Sequence, residues 1–142
     1  MKPVIINNIT ILSCSGCGNC KYGIVDTDAM VNLLEIVNVA PALPAKCKIA
    51  VAGCSRCCTM PFVRDIGLIP STRGWTVIFG GNGGGQPRIG DIIAADVRDQ
   101  DVRELVFKCL QVYSRNALPK QRTSRFIEKF GMDRFKEQLF QK

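Results

Sequence analysis

Cys14, Cys17 and Cys20 recur every third position in SCSGCGNCKYGIVDT, residues 13–27, and Cys54, Cys57 and Cys58 crowd into GCSRCC, residues 53–58. The chain holds eight cysteines and no histidine. Thiols packed this closely form disulfides, hold a metal, or are incidental. The start, MKPVIINNITIL, carries one lysine and an apolar stretch interrupted by Asn7, Asn8 and Thr10, which does not read as a signal peptide. No apolar run approaches the ~20 residues of a membrane helix. The expected compartment is therefore the cytoplasm, where clustered cysteines point to metal or redox chemistry rather than disulfides.

Three metal readings compete. A bacterial ferredoxin run matches Cys14, Cys17 and Cys20, but its fourth cysteine would fall at Ile24, so it fails at its last element. A zinc site from Cys14, Cys17, Cys54 and Cys57 has the right spacing within each pair, but 36 residues separate the pairs, longer than a usual ribbon. The third reading pairs Cys14-x₅-Cys20 with Cys54-x₃-Cys58. Each pair follows an apolar run, and four thiolates without histidine suit a [4Fe–4S] centre. The zinc reading stays open beside it.

The elements that must position these thiols are legible from pattern. At 142 residues and 46% apolar, the chain is long and apolar enough for one folded domain. Ile9–Ser13 and Lys48–Ala52 read as strands running into the two cysteine clusters. Ile49 and Val51 face one side of the second strand; Ala50 and Ala52 face the other and leave room for something bulky. Asp26 or Thr27 caps a helix reaching about Val39, with Met30, Leu33, Leu34 and Val37 as its buried stripe. Pro41 and Pro44 end it. A short helix is expected after Cys58, stopped by Gly67. Trp75–Phe79 and Ile89–Ala94 read as further strands, then a helix from about Asp99 to Arg115. Two short helices divided by Gly131 complete the chain.

The net charge of +7 is uneven: residues 113–142 carry eight Lys/Arg against three Asp/Glu, whereas the rest is near neutral. This basic helical tail is either a solvated face or a surface for an acidic partner such as an electron donor. Aromatic and basic residues are not interleaved as base-stacking requires, so nucleic acid is unlikely as a partner.

CSGCGNCKYGIVDT, KIAVAGCSRCCTMPFVRDIGLI, WTVIFGGNGGGQPRIGDII and RTSRFIEKFGMDRFKEQL resemble, in order, four segments of the siroheme-dependent nitrite and sulfite reductases. The resemblance covers nearly the whole chain, and the paired cysteine spacings are its most specific part. It implies an α+β fold in a single domain, residues 1–142, with a mixed sheet of about four to five strands flanked by helices. It implies that Cys14, Cys20, Cys54 and Cys58 ligate a [4Fe–4S] cluster and that Cys58 also bridges to siroheme iron. Cys17 and Cys57 then lie inside the loops, and Cys47 and Cys109 read as small buried hydrophobes. Ser15 and Ser55-Arg56 stand where the family has proline and Pro-Asn, which touches cofactor tuning more than ligation.

By the same resemblance GGNGGGQPR, residues 80–88, approaches a flat polycarboxylate cofactor. Gly81 and Gly83 let backbone amides come near, while Asn82, Arg88 and also Arg64 are candidates to bond its carboxylates. The plain alternative is a hairpin connection. The implied function is reduction of sulfite or nitrite through a cluster coupled to siroheme. A stand-alone [4Fe–4S] electron carrier is the alternative, with a structural zinc protein third. The family's anion-holding residues come mostly from another half, so a partner subunit or second copy is expected to complete the site. The chain is either a natural small protein or an excised piece.

Overall fold

The computed structural model describes residues 4–6, 8–14, 23–35, 42–54 and 59–140. Six strands form one mixed sheet in chain order: β1 (Val4–Ile6), β2 (Ile9–Ser13), β3 (Cys47–Val51), β4 (Ile66–Ser71), β5 (Gly74–Phe79) and β6 (Asp91–Val97). β2, β3 and β4 are parallel neighbours, and the remaining pairs are antiparallel. The helices are α1 (Thr27–Glu35), α2 (Asp99–Asn116), α3 (Thr123–Phe130) and α4 (Met132–Leu139).

Parallel pairing of β2 with β3 requires a crossover, and α1 lies within it. In the register, Ser13 sits opposite Val51, so the segments leading to Cys14 and Cys54 leave the sheet at the same end. Asp26 caps α1 by accepting from the Ala29 amide. The hydroxyl of Thr27 instead donates to the Cys14 carbonyl at 2.7 Å, tying the start of α1 to the first thiol. Met30 and Leu34 are buried as their spacing requires; Val37 lies outside the described residues.

One sheet face, carrying Ile9, Ile11, Ile49, Val51, Ile66, Leu68, Val77 and Phe79, packs into the main core with the buried sides of the helices. Phe79 stacks on Phe135 with ring centroids 4.4 Å apart, which docks α4 against β5. The indole of Trp75 donates to Asp99 at 2.7 Å and fixes the start of α2.

The expected helix after the second cysteine cluster is a single 3-10 turn, Pro61–Val63, and Gly67 does not stop it but lies inside β4. Met60 takes a left-handed conformation, φ 55°, and turns the chain over the outer sheet face. A side chain at Gly67 would put its first carbon 2.2 Å from the Pro61 carbonyl oxygen. The space beside Ala50 is therefore closed, and Ala50 is fully buried. The strand count also exceeds the four to five expected, because β1 and β4 were not apparent from pattern.

Candidate metal centre and anion cleft

Two of the four candidate ligands, Cys14 and Cys54, lie among the described residues; Cys20 and Cys58 lie outside them, as do Cys17, Cys57, Ser15, Ser55 and Arg56. Cys14 follows β2 directly, its amide donating to the Val51 carbonyl at 3.4 Å, and is partly exposed. Cys54 follows β3 by three residues and is buried. The Gly53 amide donates to Cys14 Sγ at 2.9 Å. The Gly53 carbonyl in turn accepts from the Ile24 amide at 2.9 Å. The loop before Cys54 is thus folded around the sulfur of Cys14, and an N–H aimed at that sulfur complements negative charge on it.

Thr59 follows Cys58 in sequence. It is 1% exposed, and its hydroxyl finds no hydrogen-bond partner among the described residues. Leaving such a group unpaired costs about 1–3 kcal/mol. Cys14 and Cys54 past two parallel strands, with the orphaned hydroxyl of Thr59, fit a thiolate-ligated cluster there.

Cys47 and Cys109 belong to the core. Both are buried, at 1% and 0% exposure, and burial pushes both thiols well above the ordinary range. They behave as the small hydrophobes their positions suggested.

A cleft of about 280 Å³ opens between the Pro61–Val63 turn and the glycine loop, lined by Lys48, Met60, Val63, Arg64, Asp65, Arg122 and the segment Gly81–Gly84. Asp65 is 2% exposed and its carboxylate is saturated. It accepts from the Lys48 amide at 2.7 Å, from Arg122 at 2.7 Å and from the Thr123 hydroxyl. Burial opposes charge on Arg122, but its hydrogen bond and attraction to Asp65 outweigh this and raise its pKa. Among the described residues, neither Lys48 nor Arg64 has an ion-pair partner; Arg64 Nε reaches only the Thr59 carbonyl, at 3.4 Å. The cleft therefore carries three cations against one occupied carboxylate.

Gly81, Asn82 and Gly83 line this cleft, and Arg64 does too. Arg88 does not. Its guanidinium bonds Asp91 at 2.8 Å and the Gly80 carbonyl at 3.1 Å, and lies 3.9 Å from Glu128. Asn82 spends its side chain on its own loop, donating to the Gln86 carbonyl and accepting from the Gly84 amide. Reciprocal backbone bonds between Asn82 and Arg88, 2.8 and 2.9 Å, pinch the loop shut. Lys48, Asp65, Arg122 and Thr59 were not singled out by sequence reasoning. Lys48 and Asp65 lie in KIAVAGC and RDIGLI, the segments that border the second thiol pair, whereas nothing local marks Arg122.

Residues 6–142 match the model of the nitrite and sulphite reductase 4Fe-4S domain. The chain is 35% identical over 127 residues to "Sulfite reductase, assimilatory-type" of Nitratidesulfovibrio vulgaris, covering 89% of this chain and 58% of that protein. It is 34% identical over 134 residues to the "Nitrite reductase [NAD(P)H] large subunit" of Klebsiella oxytoca, covering 93% of this chain and 14% of the relative. In fold it is similar to dissimilatory sulfite reductase I, with a TM-score of 0.80 at 12% identity, covering 96% of this chain and 53% of that one. The chain thus spans little more than half the length of one curated relative and a small part of the other.

Proposed function

We infer that this chain, which belongs to the nitrite and sulphite reductase 4Fe-4S domain family, is the cluster-bearing part of a siroheme-coupled oxidoreductase for sulfite or nitrite. The observation that carries this is the placement of Cys14 Sγ 2.9 Å from the amide of the residue preceding Cys54. Two thiols from separate sequence clusters share the end of two parallel strands. Cys14, Cys20, Cys54 and Cys58 would hold one [4Fe–4S] cluster as thiolates, and Cys58 would also couple it to siroheme.

When bound, the cluster would supply single electrons, and siroheme would supply the iron chemistry that reduces the substrate anion. This chain's own contribution is to hold both groups. Lys48, Arg64 and Arg122 offer charge to the carboxylates of the macrocycle, and the backbone of Gly81, Asn82 and Gly83 permits close approach. Met60 and Phe62 are 52% and 36% exposed on the turn between thiols and cleft, and supply apolar contact for a flat ring. Arg88 acts one step back, bracing the loop through Asp91 and the Gly80 carbonyl. Residues that hold the substrate anion would come from a partner subunit or a second copy, in keeping with the larger size of the relatives.

The test is siroheme titration of the anaerobically purified full chain, followed by visible absorption. Binding by wild type, weakened about ten- to a hundredfold in Arg64→Gln, is expected; that matches the ~1.5–3 kcal/mol of one charge-assisted bond. Absence of siroheme binding by a cluster-loaded wild type would favour an electron carrier without siroheme instead.

A further inference from the structure

Three features of the described residues would suit a partner from outside the fold. They are the cationic cleft, the exposed Leu118 and Phe140 near the chain's end, and the buried hydroxyl of Thr59. The cleft belongs to the site already described, and nothing in the structure says what covers Leu118 and Phe140.

We propose that Thr59 is a positioning and tuning residue whose hydroxyl donates a hydrogen bond to a sulfur of the metal centre, raising its reduction potential. The inference rests on the cluster reading above. Thr59 is adjacent to Cys58, and its Oγ1 is buried without a partner among the described residues. A hydroxyl donates one proton and a sulfide or thiolate sulfur accepts it. The segment is also held rather than loose. The Thr59 carbonyl accepts from Arg64 Nε at 3.4 Å, and Met60 is fixed at φ 55° and ψ 55°. A non-glycine residue in that conformation persists only where its surroundings enforce it. Here the enforcing contact is the close seat of Pro61 over Gly67. Thr59, which follows Cys58 in sequence, is thereby held at the start of a rigid turn.

A hydrogen bond to a cluster sulfur stabilises the more negative, reduced member of the one-electron couple. Removing the donor therefore lowers the potential. Threonine and valine have nearly the same shape, so Thr59→Val deletes the donor with little change in packing, and Thr59→Ser restores it.

The experiment is an anaerobic redox titration of the full chain with dithionite as electron donor, followed by electron paramagnetic resonance. Iron and sulfide are measured on the same samples. The expected result is a lower midpoint potential in Thr59→Val and a potential close to wild type in Thr59→Ser. A tenfold change in the one-electron equilibrium corresponds to 59 mV. A purely structural threonine would change the unfolding midpoint but not the potential. An unshifted potential in a Thr59→Val protein with full iron and sulfide overturns the proposal. If Thr59→Val fails to load, Thr59→Ala is the second variant. Loss of the cluster in both with retention in Thr59→Ser supports the hydroxyl bond; loss in all three overturns it. Wild type without iron and sulfide overturns the cluster reading itself, and this proposal with it.

Discussion

The sulfur of Cys14 accepts the Gly53 amide, while Arg88, the arginine best placed by sequence to meet a carboxylate, is held by Asp91 three residues away. The contrast explains what could be read at the residue scale. Thiol spacing can be read from sequence because the members of each pair are local. A guanidinium's target depends on which carboxylates the fold brings near, and neither Asp91 nor Glu128 can be weighed from a motif. The sequence favours Arg88 over Arg64 as a carboxylate partner, yet only Arg64 lines the cleft. Arg122 is less legible still, because its partner Asp65 is 57 positions away. Replacing Arg122 with Leu leaves a buried carboxylate without its cation. The guanidinium is 41% exposed, so the expected loss is about 2 kcal/mol rather than that of a fully buried pair. Urea unfolding of the apo-protein measures it. Arg88→Ala is expected to loosen the glycine loop and weaken siroheme less than Arg64→Gln does, in the same absorption titration.

Among the elements, the turn Pro61–Val63 departs most from expectation. Its sequence reads as a helix ended by glycine, but the left-handed Met60 lets only one turn form before the chain enters β4. Gly67 is needed there for lack of a side chain: any Cβ would meet the Pro61 carbonyl. Gly81, two residues past the end of β5, plays the same part: a Cβ there would fall 2.4 Å from the Phe62 carbonyl oxygen. Gly67→Ala should therefore lift the turn, destabilising the fold by about 1–3 kcal/mol, as overpacking does. Denaturant unfolding would detect this, and an unchanged midpoint would show that the turn yields freely. β4 was hard to foresee because IGLIPS contains both Gly67 and Pro70. Proline is tolerated there because β3 pairs only with Ile66–Leu68, leaving β4, among the described residues, without a neighbour on that side at Pro70. β2, β3, α2 and the two short C-terminal helices were legible because their apolar periodicity is decided by the same core that buries them.

For the whole molecule, the basic C-terminal segment is partly structural. Arg122 holds Asp65, Arg125 bonds Glu128 and the Gln86 carbonyl, and Arg134 lies 4.3 Å from the Phe130 ring centroid. A reading from net charge alone could not separate these from cations that face solvent. Among the described residues no helix is long and apolar enough to cross a membrane. Burial also sets a dependence on pH. Cys47 and Cys109 have folded pKa values raised above the unfolded value of about 8.5. The folded state then keeps protons that the unfolded state releases, so their contribution is complete below about pH 8.5 and falls as pH rises beyond it. Each thiol should add a slope of about 1.4 kcal/mol per pH unit there. Urea unfolding of the apo-protein between pH 7 and 10 should show the decline, with a shallower slope in Cys109→Val.

The cluster itself is tested most directly by iron, sulfide and zinc analysis of protein purified without oxygen, in wild type and in Cys14→Ser, Cys20→Ser, Cys54→Ser and Cys58→Ser. About four iron and four sulfide per chain are predicted for wild type, with loss or conversion of the cluster in each variant. Stoichiometric zinc without iron, or a full cluster retained in all four variants, would contradict the assignment.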